Sequence, residues 1–472
     1  MSFFEPEFNY DDEYDTQKTN VDEEIKKIKN LVETGSIYNC MDAIEDVIQL
    51  CLDSEKNDDG LYFVNLLIDI APYNSEYWLK KGVFLNGLHF YEEALKSYNR
   101  ALSLNPGDSE TLVDKAATEE NLGLFLQARE SLETALLTDP NNEEAYFSLG
   151  ILCQHQEKLN DAVLYFLKAI EIDPGFAEAY YELGFCYETL NRLNEALGSY
   201  DKYLDTEPYS ANGWYNRGIV LGKMNKLETA IDSYDLAIAI RDDFPSAWFN
   251  KGNALADIGR FQQAIECFKR SYELDNTDEA SCYNIANIFE ELGDIASAIK
   301  YYSEAVKINE DYYEAYLARG YCYDSVGKFH LALKDFNKAI TLSQDNADAW
   351  YAKADLEYSL GKLQEAVNSY TAALKIEPAN FDIWFHLAET YYEMGDWLEA
   401  LKAFDECIKI HPSDASLFYS KAKINFILSR TQEAVDCLKD AFVIDPAIRN
   451  EFAKEYPEIK SSRLFKKLLG EL

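Results

Sequence analysis

The chain has 472 residues and a formal net charge of −40, from 44 Lys and Arg against 84 Asp and Glu. A surface this acidic repels phosphate backbones and anionic lipid, so nucleic acid and membrane are excluded as expected partners. With 47% hydrophobic and 14% aromatic residues, and only 11 Pro and 21 Gly, the chain is not disordered as a whole or loop-rich; it suits helices packed through large side chains.

The N-terminus carries Glu5, Glu7, Asp11, Asp12, Glu13 and Asp15 before its first basic residue, Lys18. This is the opposite of a secretory leader, and residues 1–21 are expected to be disordered. Glu23 to Glu33 reads as a helix, and Met41 to Asn74 as a degenerate helix pair, so residues 22–74 are expected to cap the N-terminal end of a longer array. Charged residues recur every few positions throughout, and no stretch of ~20 apolar residues suggests a membrane span.

From Ser75 onward the chain is periodic. Pro72, Pro106, Pro140, Pro174, Pro208, Pro378, Pro412 and Pro446 are separated by 34 residues or multiples of 34. In the same register Ala occupies one column in all eleven units, from Ala94 to Ala434. A second column, from Gly82 and Ala116 to Ala422, never exceeds a methyl group. Four positions before it stand large residues, among them Trp78, Tyr146, Trp214, Trp350 and Phe418.

Residues 177–210 show the unit. Glu178 to Leu190 and Asn194 to Glu207 are predicted helices, with a break at Asn191-Arg192 and Pro208 closing the pair. Six other units carry Gly at the break (Gly123, Gly259, Gly293, Gly327, Gly361 and Gly395), as a reversal with positive φ requires. Small residues facing each other would let the helices close, with bulky aromatics filling the gap to the next pair. After Pro446, Phe452, Tyr456, Leu464, Phe465, Leu468 and Leu469 are spaced to cover the last exposed face, making residues 449–472 a C-terminal cap.

These columns resemble the tetratricopeptide repeat, over eleven units from residue 75 to 448. The resemblance implies an all-α fold: a right-handed α-solenoid, or superhelix, of antiparallel helix pairs. Its first helices would line an inner groove that holds a partner. On four groove positions per repeat the chain places eleven acids, including Asp257, Glu290 and Glu291, against only Lys80, Lys223 and Lys423. The clamp by which related co-chaperones hold acidic tails needs cations there, so the expected partner is instead a basic or neutral peptide or protein.

A second likeness is to the Asn ladder of a sugar-transferring enzyme with a long array of these repeats. Asn216, Asn250 and Asn284 occupy the ladder position in three successive repeats, with Asn253 and Asn287 one helical turn on. Their amides are expected to be solvated in the free protein and to pair with a peptide backbone, with Tyr215, Phe249 and Tyr283 adding apolar contact.

No nucleotide-binding, metalloprotease or nucleophile-elbow motif is present. The five His fall at unrelated repeat positions, and the nine Cys include no C-x-x-C pair, which suggests reduced core thiols in a cytoplasmic protein. The expectation is a non-enzymatic interaction scaffold without metal or cofactor, or alternatively the regulatory subunit of an enzyme complex gripping a folded partner. Homo-oligomerisation through the terminal repeats is left open.

Overall fold

The computed structural model describes residues 10–35 and 40–456. Among the described residues every regular element is a helix, 26 in all, and the chain divides into two compact units, residues 1–242 and 243–472.

The first unit opens with α1 (Tyr10–Thr34), α2 (Met41–Asp53) and α3 (Asn57–Ile70). Five pairs come next: α4/α5 (Ser75–Gly87, Tyr91–Leu104), α6/α7 (Ser109–Asn121, Phe125–Thr138), α8/α9 (Glu143–His155, Leu159–Ile172), α10/α11 (Ala177–Thr189, Leu193–Thr206) and α12/α13 (Ala211–Lys223, Leu227–Ile240). The second unit holds six more: α14/α15 (Pro245–Asp257, Phe261–Leu274), α16/α17 (Glu279–Glu291, Ile295–Ile308), α18/α19 (Tyr313–Ser325, Phe329–Leu342), α20/α21 (Ala347–Ser359, Leu363–Ile376), α22/α23 (Phe381–Met394, Trp397–Ile410) and α24/α25 (Ala415–Ile427, Thr431–Ile444). It closes with α26 (Ile448–Glu455).

Local chemistry sets the boundaries. Several first helices start at a side-chain cap: Asn142 Oδ1 accepts from the Ala145 amide at 2.7 Å, Asn346 from Ala349 at 2.8 Å and Ser210 from Gly213 at 3.1 Å. Every break between paired helices turns through a left-handed residue. The six glycines are joined there by His89, Glu157, Asn191, Asn225 and Ser429, all with φ between 58 and 63°. Asn191 was legible as a break, and the structure places it one residue beyond the C-cap of α10.

The invariant Ala column, Ala94 through Ala434, is at most 1% exposed. The Gly column does not face a second small residue as expected. A Cβ on Gly82 would lie 2.4 Å from the Tyr98 ring, and one on Gly150 2.4 Å from the Phe166 ring, so each glycine seats an aromatic from the second helix of its own pair. The Trp column staples the turns. The indole N–H of Trp78, Trp214 and Trp384 donates to the carbonyl of Pro72, Pro208 and Pro378 at 2.8 to 3.0 Å, six residues back.

The ends differ from expectation in detail. Helix α1 begins at Tyr10, inside the segment expected to be disordered. Ile25 and Ile28 of α1 pack with Ile44, Ile48 and Phe63, which covers the start of the array. At the other end Phe452 is buried beside Tyr419 and Phe442. Leu464, Phe465, Leu468 and Leu469 of the expected cap lie outside the described residues, as do residues 1–9.

Candidate functional site

The candidate site is built on the faces of the first helices. In the first unit, the Asn216 amide on α12 donates to the Tyr181 hydroxyl on α10 at 2.9 Å. Around it, Gln154 donates to Glu182 at 2.9 Å and Lys223 pairs with Glu188 at 3.0 Å. His155 and Glu120 approach to 2.7 Å. Tyr215 packs against Tyr234, with ring centroids 6.1 Å apart.

The other candidates lie in the second unit. The Asn284 amide on α16 donates to the Asn253 side-chain carbonyl on α14 at 3.0 Å, joining two neighbouring first helices. Asn287 and Glu290 both accept from the Tyr302 hydroxyl, at 2.6 and 2.7 Å. Burial and the bond to Glu290 hold that phenol well above its usual range. Asn250 is half-buried on α14, while Asp257 and Glu291 are exposed.

The amides are therefore tied between repeats or to the second helix, where free solvation was expected. Phe249 and Tyr283 are half-buried against Phe268 and Tyr302, with centroids 5.5 Å apart in each case. Periodicity alone missed Tyr181 and Tyr302 as partners of the amides, although Tyr302 stands in the second-helix aromatic column with Tyr98, Tyr200 and Tyr370.

One acid on these faces is pressed toward neutrality. Asp114 on α6 is pushed up to about 7 by burial, with Glu110, Glu144 and Asp108 adding repulsion. Three cations of the first helices turn aside: Lys81, Arg217 and Lys353 lie over the rings of Trp78, Trp214 and Trp350, three residues earlier in each case.

Burial raises the thiols of Cys186, Cys322 and Cys407 to about 12, so they stand as protonated core groups. Among the described residues no group of three or more His, Cys, Asp or Glu could hold a metal ion, and no helix is long and apolar enough to cross a membrane.

Models described as tetratricopeptide repeat match residues 75–108, 113–175, 165–198, 211–244, 245–278, 280–312, 313–346 and 381–414, and one described as TPR repeat matches 354–395. No curated protein matches the chain. Among solved structures, YrrB, described as a TPR protein with an unusual peptide-binding site, is 23% identical over 40% of this chain and 97% of its own, with a TM-score of 0.35. PilF of Pseudomonas aeruginosa is 20% identical over 45% and 97%, with a TM-score of 0.39. Yeast Tom70 is 15% identical over 89% and 99%, with a TM-score of 0.38. The repeat matches, read with the unbroken series of helix pairs, lead to one conclusion: the chain belongs to the tetratricopeptide repeat family, an all-α solenoid whose general character is that of a protein-interaction scaffold.

Proposed function

We propose that the protein binds a partner peptide or protein along the first-helix face of its second unit, centred on α14 and α16. The observation that carries this reading is the Asn284–Asn253 bond. A side-chain amide has two N–H groups and a carbonyl with two lone pairs, so the pair consumes only one donor and one acceptor. The remaining groups can bond the N–H and C=O of a backbone laid across both helices without reading its side chains. Asn250 and Asn287 extend the same polar strip, and the exposed Asp257 and Glu291 favour a basic or neutral ligand over an acidic one. Such a strip needs no catalytic pocket, consistent with a non-enzymatic role in the cytoplasm.

The test is partner capture from a native extract by the parent and by the Asn253→Ala/Asn284→Ala variant, followed by measured affinity for the captured protein. Binding should weaken by ~0.5–1.5 kcal/mol per lost net hydrogen bond. The bond between the amides should also add a small stability loss. A variant that binds as the parent does would refute this assignment.

A further inference from the structure

Further along the second unit, α18, α20 and α22 present neighbouring faces of a different kind. Asp324, Asp348, Asp355, Asp382, Glu389 and Glu393 gather there around Tyr321, Tyr351, Tyr358 and His386. Tyr358 donates to Glu393 at 2.7 Å, and Tyr351 meets the His386 ring edge-on at 5.8 Å. Partial burial and the neighbouring Asp355 carboxylate push the Asp324 carboxyl up, and burial does the same to Glu389.

No Lys or Arg of these helices serves the acids; on α22 only His386 faces one of them, Glu389. Arg319 of α18 is bonded to Asp335 and Ser303 on the second helices. Lys353 of α20 lies over Trp350 and beside Glu357. Helix α22 contains no Lys or Arg.

A second observation comes from beneath the face. Tyr370 is 0% exposed, its ring lies 6.0 Å from that of Tyr351 and 6.2 Å from that of His386, and its hydroxyl has no hydrogen-bond partner. Buried hydroxyls are ordinarily partnered. The equivalent Tyr302 hydroxyl bonds Asn287 and Glu290. Tyr200, also unpartnered, lies below a face where Lys223 and Gln154 already supply donors to Glu188 and Glu182. Among the described residues, the face above Tyr370 alone combines an unpartnered phenol, clustered carboxylates and aromatic rings with no Lys or Arg donor from its own first helices.

We propose that the face of α18, α20 and α22 docks an arginine-bearing segment of a partner protein, with Asp324 and Asp355 as the carboxylates that receive the guanidinium and Tyr321 and Tyr351 as the rings beside it. The planar guanidinium has five N–H donors in a fixed fork and stacks on aromatic faces, which fits carboxylates interleaved with rings better than a compact ammonium does. Tyr321 is 42% exposed and open to such stacking. Neighbouring first helices in packed arrays lie roughly 10 Å apart, so three of them offer the length of a chain segment rather than of a single small ion. The inference rests on the scaffold reading only in supposing a protein partner; it invokes different residues from the Asn pair.

The test is fluorescence polarisation of a dye-labelled Gly/Ser peptide with spaced arginines, beside the same peptide with lysine or with citrulline. The arginine peptide should bind several-fold more tightly than the lysine peptide, and the neutral citrulline peptide should show no saturable binding. Asp324→Asn/Asp355→Asn should weaken arginine binding about tenfold, as expected for loss of charge-assisted bonds. Glu130→Gln/Glu133→Gln, which removes the same charge from the exposed surface of α7, should change it less than about twofold. Removing two adjacent like charges should not lower the thermal midpoint, so weakened binding is not explained by misfolding. Absence of arginine binding, equal binding of lysine or citrulline, or a double-Asn variant no worse than the control overturns the proposal. If a captured partner is lost by Asn253→Ala/Asn284→Ala yet kept by Asp324→Asn/Asp355→Asn, this inference alone fails.

Discussion

Arg319 and Asp335 form a two-pronged ion pair across one repeat: Nε reaches Oδ2 at 2.7 Å and Nη2 reaches Oδ1 at 2.8 Å, with the side chains 14% and 4% exposed. The third guanidinium nitrogen donates to Ser303 of the preceding repeat at 3.1 Å, so one side chain ties three helices. Asp335→Ala strands a largely buried cation and should destabilise the second unit by ~3–5 kcal/mol. Replacing both partners with apolar residues, Arg319→Met and Asp335→Leu, should restore most of that loss. Urea titration of parent, single and double variants decides it; a single variant as stable as the parent would show that the pair is solvent-relaxed.

Asp114 gives a pH dependence of unusual sign. Its folded carboxyl titrates at about 7, above the ordinary value of 3.8, because burial and three neighbouring acids disfavour its charge. Between these values the folded state binds the proton that the unfolded state has released, so stability contributed by the protonated group is lost as pH rises toward 7. Asp114→Asn should therefore stabilise the first unit at pH 8, on the order of 4 kcal/mol, and change little at pH 4. Thermal midpoints of parent and variant across that range test it. A constant difference would assign the effect to packing.

The break residues predict a gain. Glu157 is held at φ 59° between α8 and α9, where five other non-glycine residues and six glycines of the chain also carry positive φ in turns. A left-handed L-residue costs roughly 1–2 kcal/mol, part of which glycine returns as extra chain entropy when unfolded. Glu157→Gly should raise stability by ~0.5–1 kcal/mol, and Gly293→Ala should lower it by a similar amount. Denaturant midpoints that move the opposite way would show that the side chain of Glu157 matters more than its backbone.

The fold was legible because one helix pair cannot bury its own face: Ala94 and its counterparts must recur wherever the next pair lands, and recurrence is visible in a single chain. The site was only half legible. Column position put Asn284 and Asn253 on first helices, but their partnership depends on how one helix is rotated against its neighbour, and the bonded residues are 31 apart, not 34. Asn216 reaches a residue 35 back, and Tyr358 one 35 ahead. A strict repeat register contains no such offsets. Asp324, Asp355, Glu389 and Glu393 are plain in the sequence as acids, but their lack of Lys or Arg partners depends on where Arg319 and Lys353 turn, to Asp335 and to Glu357.

The indole staples give the molecule its own optical gauges. Trp78, Trp214, Trp350 and Trp384 each donate across the turn that joins their repeat to the one before, to Pro72, Pro208, Gln344 and Pro378. When a junction opens, the ring that leaves its carbonyl and enters water shifts its emission, while the others remain as they were. Variants that keep one of these tryptophans and replace the remaining ones by phenylalanine would show by colour which joint in the array yields first under heat, denaturant or the pull of a bound partner.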